Sequence, residues 1–450
     1  MNRSQRLKED KIWKLLLKFS LPAIVGMMVN ALYNVIDRIF IGRGVGADGL
    51  AGITIGFPIM LIFMAFGMLV GVGGSALISI KLGEDNKDEA ELILGNSVLM
   101  LTVIILIFSV LGLVFLEPLL ISFGASDDVL PYAKQYLTII LGGAIFQGIG
   151  FGMNNYIRAE GNPKIAMITM LIGAIINIIL DPLFIFRFNW GIQGAAWATI
   201  IAQAVSSVWV LLYFFGGKST LKIRRENLRL NKNIVTKILA IGSAPFSMQI
   251  ASSIVITLFN RQLATYGGDT AISVMGIIHS VSMFTLMPIF GINQGAQPII
   301  GYNYGAKAFN RVKETLKMAI VFATVIVTSG FLITRLFPRQ IIYLFNRENI
   351  ELIEMGINAI QIFLFALPII GFQIVSSNYF QAVGKAKIAT LLTLSRQVLV
   401  LIPLLLILPK YFGLMGVWLA APISDIASSV LSGTFLKLEL KKLTKKTINE

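Results

Sequence analysis

Three aspartates, Asp37, Asp181 and Asp425, stand within or at the edge of long apolar runs, where a carboxylate is costly. A charge at the centre of a membrane helix costs about 2.5–3.5 kcal/mol on insertion scales, so each needs a partner, a proton, an ion or water. Asp37 ends a stripe: Asn30, Asn34 and Asp37 follow i, i+4, i+7 spacing, which puts them on one helix face. Asp181 lies one turn after Asn177 and precedes Pro182, which weakens the helix locally. Carboxylate, amide and hydroxyl oxygens are what a hard cation takes. A carboxylate in apolar surroundings can instead hold a proton. Blander readings compete. The stripe also fits a hydrogen-bonding seam between helices, and Asp181 also fits an outer interface near Arg187, in water. Asp425 lies among Ser424, Ser428 and Ser429, with Arg396 at similar depth in the preceding run. That pattern fits a buried ion pair joining two helices, or a part in coupling. His279, the only histidine, is either a proton relay or a packing and hydrogen-bonding group.

The elements that carry these residues must be membrane helices. The 450 residues are 56% hydrophobic and 14% charged, with mean hydropathy +0.79, against about 25% charged in soluble domains. Runs such as 165–186 and 388–408 exceed the roughly 18–20 residues that cross a bilayer. Continuous rather than alternating apolarity excludes a membrane β-barrel. The expected fold is an all-α polytopic membrane protein of about twelve transmembrane helices in two pseudo-symmetric six-helix halves.

The halves show as a repeat. Asn155–Lys164 returns as Asn378–Lys387, an offset of 223 that also carries Lys14 to Lys237 and Pro22 to Pro245. The division is 1–215, a linker 216–236, and 237–450. The stripe has a counterpart in Ser253, Thr257 and Asn260, without the charge. Asn177 and Asp181 correspond to Val400 and Leu404, so that pair belongs to the first half alone. The prolines at 22 and 245 fit either hinges or passively tolerated kinks. The basic, apolar N-terminus mimics a signal peptide, but Lys14–Ile36 repeats at Lys237–Phe259 and is read as part of the fold. Of the 38 Lys and Arg, 29 fall on the side of the N-terminus and linker, which places both termini and the linker in the cytoplasm. Two parallel repeats flank a central path whose opening alternates, so transport is the expected function.

Other classes fall away. The net charge of +15 sits in short loops between apolar runs, as membrane orientation requires, so no nucleic acid is expected. There is no cysteine and no HExxH, so an enzyme is not expected. Gly217-Lys218-Ser219 resembles the end of a phosphate-binding loop, but Leu212 occupies the first glycine's place. Energy must come from an ion gradient or from the substrate's own. Gly148, Gly150 and Gly152 fit close helix packing. The 30 phenylalanines and 17 methionines include candidates for an adaptable cavity lining.

The chain resembles the multidrug and toxic compound extrusion (MATE) transporters over nearly its whole length. The resemblance rests on Ser20-Leu21-Pro22, Asn34 through Asp37, Ala47-Asp48-Gly49-Leu50-Ala51, and Arg158-Ala159-Glu160-Gly161-Asn162-Pro163. It implies export of amphipathic, often cationic organic compounds in exchange for Na+ or H+, with no other cofactor. It further implies a cation site of Asp37, Asn154, Asn177, Asp181 and Thr199, and a bend at Pro22. Asn30, Asn34, Ser253, Thr257 and Asn260 would line the cavity. Small organic substrates and membrane lipids are the expected partners of a monomer in the cytoplasmic membrane. Another branch of the family has acids in the seventh and tenth helices, where this chain offers Gln249, Ser252, Ser253, Gln361, Gln373 and Asn378. A related function is flipping lipid-linked saccharides. It calls for a cluster of cavity arginines, and only Arg396 lies well inside a span.

Overall fold

Apolar runs of this length can satisfy their backbone in lipid only by coiling. Among the residues described by the computed structural model, 7–217, 219–347 and 349–448, every regular element is a helix. Lys218, from the phosphate-loop mimic, lies outside them. In the first half α1 (Ile12–Gly44), α2 (Ala47–Gly83) and α3 (Lys87–Val114) precede a short α4 (Leu116–Ser122). A span bent by 55° follows, made of α5 (Leu130–Gly142) and α6 (Ala144–Ala159). Then α7 (Pro163–Pro182) passes through a π-helical turn, Leu183–Arg187, to α8 (Gly191–Phe215). The second half repeats the pattern with α9 (Lys232–Gly305), α10 (Phe309–Leu336) and the short α11 (Pro338–Tyr343). Its bent pair is α12 (Ile350–Phe363) and α13 (Leu367–Ala382), at 47°. It closes with α14 (Ala386–Leu394), a π segment Ser395–Leu401, and α15 (Ile402–Ile448).

At 74 residues, α9 would be over ~100 Å long if straight, some three times the hydrocarbon core, so it has to turn. It breaks at Gly268 (φ 62°), as α15 breaks at Gly413 (φ 54°). Left-handed dihedrals of this kind suit a residue without Cβ. Both glycines have mates 222 residues earlier, Gly46 (φ 95°) and Gly191 (φ 54°). Among the described residues, eight helical stretches are long and apolar enough to cross a membrane. Two of them hold a break and two spans, and the bent pairs supply two more, which accounts for twelve. In contrast, α1 runs unbroken through Pro22.

Two apolar cores result, and the first helix of each half belongs to both. Ile12, Leu15, Leu16 and Phe19 of α1 pack into the core built from Ala244–Leu443, while Ile41 of the same helix packs with the first half. Reciprocally, Ile234, Ile238 and Ile241 of α9 pack into the first core, and Val255 and Phe259 into the second. These two helices are diagonal braces, and they lock the halves together at the end that carries the linker.

The lock is made of backbone against backbone. A Cβ on Gly242 would lie 1.8 Å from the carbonyl of Leu69, one on Gly83 1.9 Å from that of Tyr302, and one on Gly305 2.0 Å from that of Ile80. Polar straps reinforce it. The linker is held on the first half by buried acids and amides: Arg224 Nε donates to Glu91 at 2.7 Å, Ser219 Oγ to Glu160 at 2.6 Å, and the Asn231 amide to Asn96 at 2.6 Å. The segment before α1 is held on the second half by Arg311, which donates to the carbonyls of Leu7 (3.1 Å) and Asp10 (2.8 Å).

Overpacking such a contact costs about 1–3 kcal/mol. Gly83→Ala and Gly242→Ala should therefore each part the halves at the linker end. The chain has no cysteine, so spin labels on Glu84→Cys and Lys307→Cys report that separation without background. Longer label distances are expected in both variants; unchanged distances would show that these contacts do not hold the end closed.

Candidate functional site

Three segments of the first half bring oxygen atoms to one place. Beyond its brace, α1 lies along α7: Gly26 leaves room for Met170, and Gly44 for Ile185 and Phe186. This close approach delivers Asp37 to within hydrogen-bonding reach of the Asp181 carboxyl. Asp181 is fully buried at the end of α7, where Pro182 removes a donor and the π turn begins. π turns of this kind recur at functional sites. Asn177, one turn back and also buried, donates to Asp181 Oδ1 at 3.1 Å and stands 3.4 Å from Thr199 Oγ1 on α8. Asp37 itself is half-buried.

Several buried acceptors here lack a donor. Asp37 Oδ1, Asp181 Oδ2, Asn177 Oδ1 and Asn154 Oδ1 are all in that state. Buried acceptors are normally paired, so the oxygens around the two carboxyls outnumber the donors that meet them, of which Asn177 Nδ2 is one. No Lys or Arg among the described residues forms an ion pair with either carboxyl. Two carboxylates this close cannot both ionise without a neutralising species. The arrangement suits a proton shared between them or a small hard cation. Asn154, on α6, makes no hydrogen bond to the other four residues.

Two tyrosines border the carboxyls. Tyr33 is one turn before Asp37 on α1, a spacing legible in the sequence. Tyr136, from α5, lies beside Asp37 and Asp181 and within reach of Thr199, and only the tertiary bend brings it there.

The polar stripes do not form a seam between helices. Asn34 Nδ2 donates to the Asn30 carbonyl at 2.7 Å, and Thr257 Oγ1 to the Ser253 carbonyl at 3.0 Å, each within its own helix. Asn34, Thr257 and Asn260 are exposed, with Asn30 and Ser253 half-buried. Amides facing hydrocarbon would be costly, so exposure of this kind fits contact with water. The outer-interface reading of Asp181 also fails, since the residue has no accessible surface. His279 is exposed and has no hydrogen-bond partner among the described residues. Asp425 is the buried member of an ion pair, with Arg396 Nε at 2.6 Å from its Oδ1. Gly148 and Gly152 are packing glycines, set against Ile105 and Leu101.

Comparison with known proteins agrees with this architecture. The family model described as MatE matches twice, at residues 22–183 and 244–407. The chain is 30% identical over 425 residues to the multidrug export protein MepA of Staphylococcus haemolyticus (strain JCSC1435), covering 94% of this chain and 93% of that one. The solved MATE multidrug transporter DinF-BH, in complex with R6G, is 43% identical, with TM-score 0.87 over 94% of this chain and 95% of that one. An outward-facing multidrug resistance MATE transporter superposes with TM-score 0.91 at 26% identity, over 99% of both chains.

The Arg396–Asp425 pair yields a stability prediction. Removing one partner of a buried pair costs about 3–5 kcal/mol, whereas replacing both by apolar groups is often neutral. Asp425→Asn should lower the thermal midpoint in detergent markedly, and Arg396→Met with Asp425→Leu should restore most of it. A double variant as unstable as the single one would mean that the pair does more than neutralise itself.

Proposed function

The chain belongs to the MatE family of membrane transporters, and on that premise we propose that it exports amphipathic, often cationic organic compounds from the cell in exchange for Na+ or H+. The unpaired buried oxygens of Asp37, Asp181 and Asn177 carry this reading. The name multidrug export protein of the staphylococcal relative supports the substrate class. Na+ would be held by Asp37, Asn177 and Asp181, with Asn154 and Thr199 offering further oxygens. A proton would instead reside on one carboxyl and be shared with the other. Either species removes the repulsion between the two acids and so favours the packing of α1 against α7 seen here.

Substrate would enter between the halves along Asn30, Asn34, Ser253, Thr257 and Asn260. Exchange follows if cation and substrate bias opposite arrangements of the first half, because each then weakens the other's binding by the same factor. Pro22 supplies α1 with a weak point for such a change, since its missing hydrogen bond lowers the cost of bending. The excess of Lys and Arg at the linker end supports cytoplasmic termini, and the closed linker end then corresponds to access from outside. One chain suffices, as both walls of the path come from it. The alternative of saccharide-lipid flipping is weakened, because Arg396, the one arginine deep in a span, is engaged by Asp425.

Dye efflux from vesicles under separately imposed sodium and proton gradients tests the proposal and identifies the ion. Either Asp37→Asn or Asp181→Asn should abolish gradient-driven efflux while leaving thermal stability intact. In the wild type the coupling ion should weaken dye binding by roughly 5- to 150-fold, the usual range of a coupling energy. The double variant should show no such effect. Full gradient-driven export by the double variant would overturn this mechanism.

A further inference from the structure

The far end of α15 carries a feature that the repeat does not require. Its counterpart in the first half, α8, ends at Phe215, which corresponds to Lys437 at the 222-residue offset, yet α15 continues as helix to Ile448. The extension is fastened to the second half by one face. Leu436 and Leu443 are buried in that core, and buried Glu439 is paired with Lys385 and accepts from the Tyr379 hydroxyl at 3.4 Å. A different face bears Lys437, Lys441 and Lys445 at four-residue spacing, all exposed, and none of the three forms an ion pair among the described residues. A fourth cation, Lys313 of α10, reaches the same rim and donates to Thr444 Oγ1 at 3.1 Å.

Beneath these lysines runs a groove of about 560 Å³, lined by Phe372 of α13 and by Gly433, Leu436 and Leu440 of α15. Gly433 keeps its floor open: a Cβ there would sit 3.7 Å from the Phe372 ring, in ordinary contact, so the position tolerates a side chain but has none. From Gly433 to Lys445 the helix rises ~18 Å. The groove is thus apolar toward the span and cationic toward the linker end.

We propose that this groove binds an anionic phospholipid, with an acyl chain along Phe372 and Gly433 and the phosphate among Lys437, Lys441 and Lys445. The match is one of charge as well as shape. A row of unpaired lysines just beyond a transmembrane helix attracts anionic headgroups, while an apolar floor continuous with the span accepts hydrocarbon that a free anion could not use.

Native mass spectrometry of the full chain, reconstituted with equal phosphatidylglycerol and phosphatidylcholine, tests this. Preferential retention of phosphatidylglycerol is expected. Changing Lys437, Lys441 and Lys445 together to Gln should reduce retention by roughly a hundredfold, at about fivefold per lysine. The triple Arg variant should retain the lipid, which separates charge from a general loss of fold. Gly433→Leu, which fills the floor and keeps every charge, should also displace it. Equal retention of the two lipids, or an unaffected triple Gln variant, overturns the proposal. So does displacement by millimolar inorganic phosphate, which would mean that the site reads the anion alone. These readouts are independent of drug export, so failure here leaves the exchanger reading untouched, and the reverse.

Discussion

A carboxylate buried in an apolar bundle has to be neutralised, and the two halves meet that demand differently. In the second half Asp425 has Arg396, held at 2.6 Å within the same half. The charge is closed internally, and nothing need come or go. In the first half Asp37 and Asp181 have each other, the Asn177 amide, a threonine and two tyrosines, with Arg38 beside Asp37 but no ion pair among the described residues. Such a site fits the cation or proton proposed above. The folding of α1 against α7, the proline and π turn after Asp181, and the bend in the span that carries Tyr136 accompany this gathering of polar groups.

A cation or proton at this site, as proposed, would have a mechanical outlet through the diagonal helices. The same α1 that carries Asp37 has its beginning packed in the second half. A change in how α1 meets α7 is therefore transmitted along one helix to the contact between halves. Its symmetry mate α9 crosses in the opposite sense, but at the position of Asp37 it carries Asn260, which no cation or proton needs to visit. The lock at the linker end has little tolerance, since its closest approaches are between backbones with only glycine hydrogens in the gap. Packed interfaces of that kind are bistable rather than gradually deformable, so a small local change at the carboxyls can select between two arrangements of the whole.

Much of this was legible in the chain because lipid makes polar residues conspicuous. Asp37 and Asp181 stood out against apolar neighbours, the helical spacing of Asn30, Asn34 and Asp37 was readable, and the repeat offset exposed the asymmetry between halves. Arg396 and Asp425 also declared themselves, being opposite charges at matching depth. What could not be read was whatever depends on distant contacts. Tyr136 gains its place only through the 55° bend of its span. Glu91, Glu160 and Glu439 sit at helix ends where acids are normally solvated, yet all three are buried. Nothing in their local sequence says that the linker, or a lysine from another loop, will fold over them. The polar stripes were legible as stripes, but whether they join two helices depends on how far the facing helix stands away.

The pseudo-symmetry turns these differences into functional information. Duplication fixes what both halves must share: the glycine breaks at 46 and 268 and at 191 and 413, the bent fourth span, and the braced first helix. Those features hold the scaffold. A residue present in one half and absent from its mate is under no such architectural obligation, since the mate folds without it. Asp181 opposite Leu404, Asp37 opposite Asn260, and the lysine-bearing extension of α15 opposite the end of α8 at Phe215 are all departures of this kind. Two of them place carboxyls without an ion pair among the described residues in the apolar bundle, and the third places exposed lysines at its edge. The proposed cation site and the proposed lipid groove both lie at such departures from the repeat.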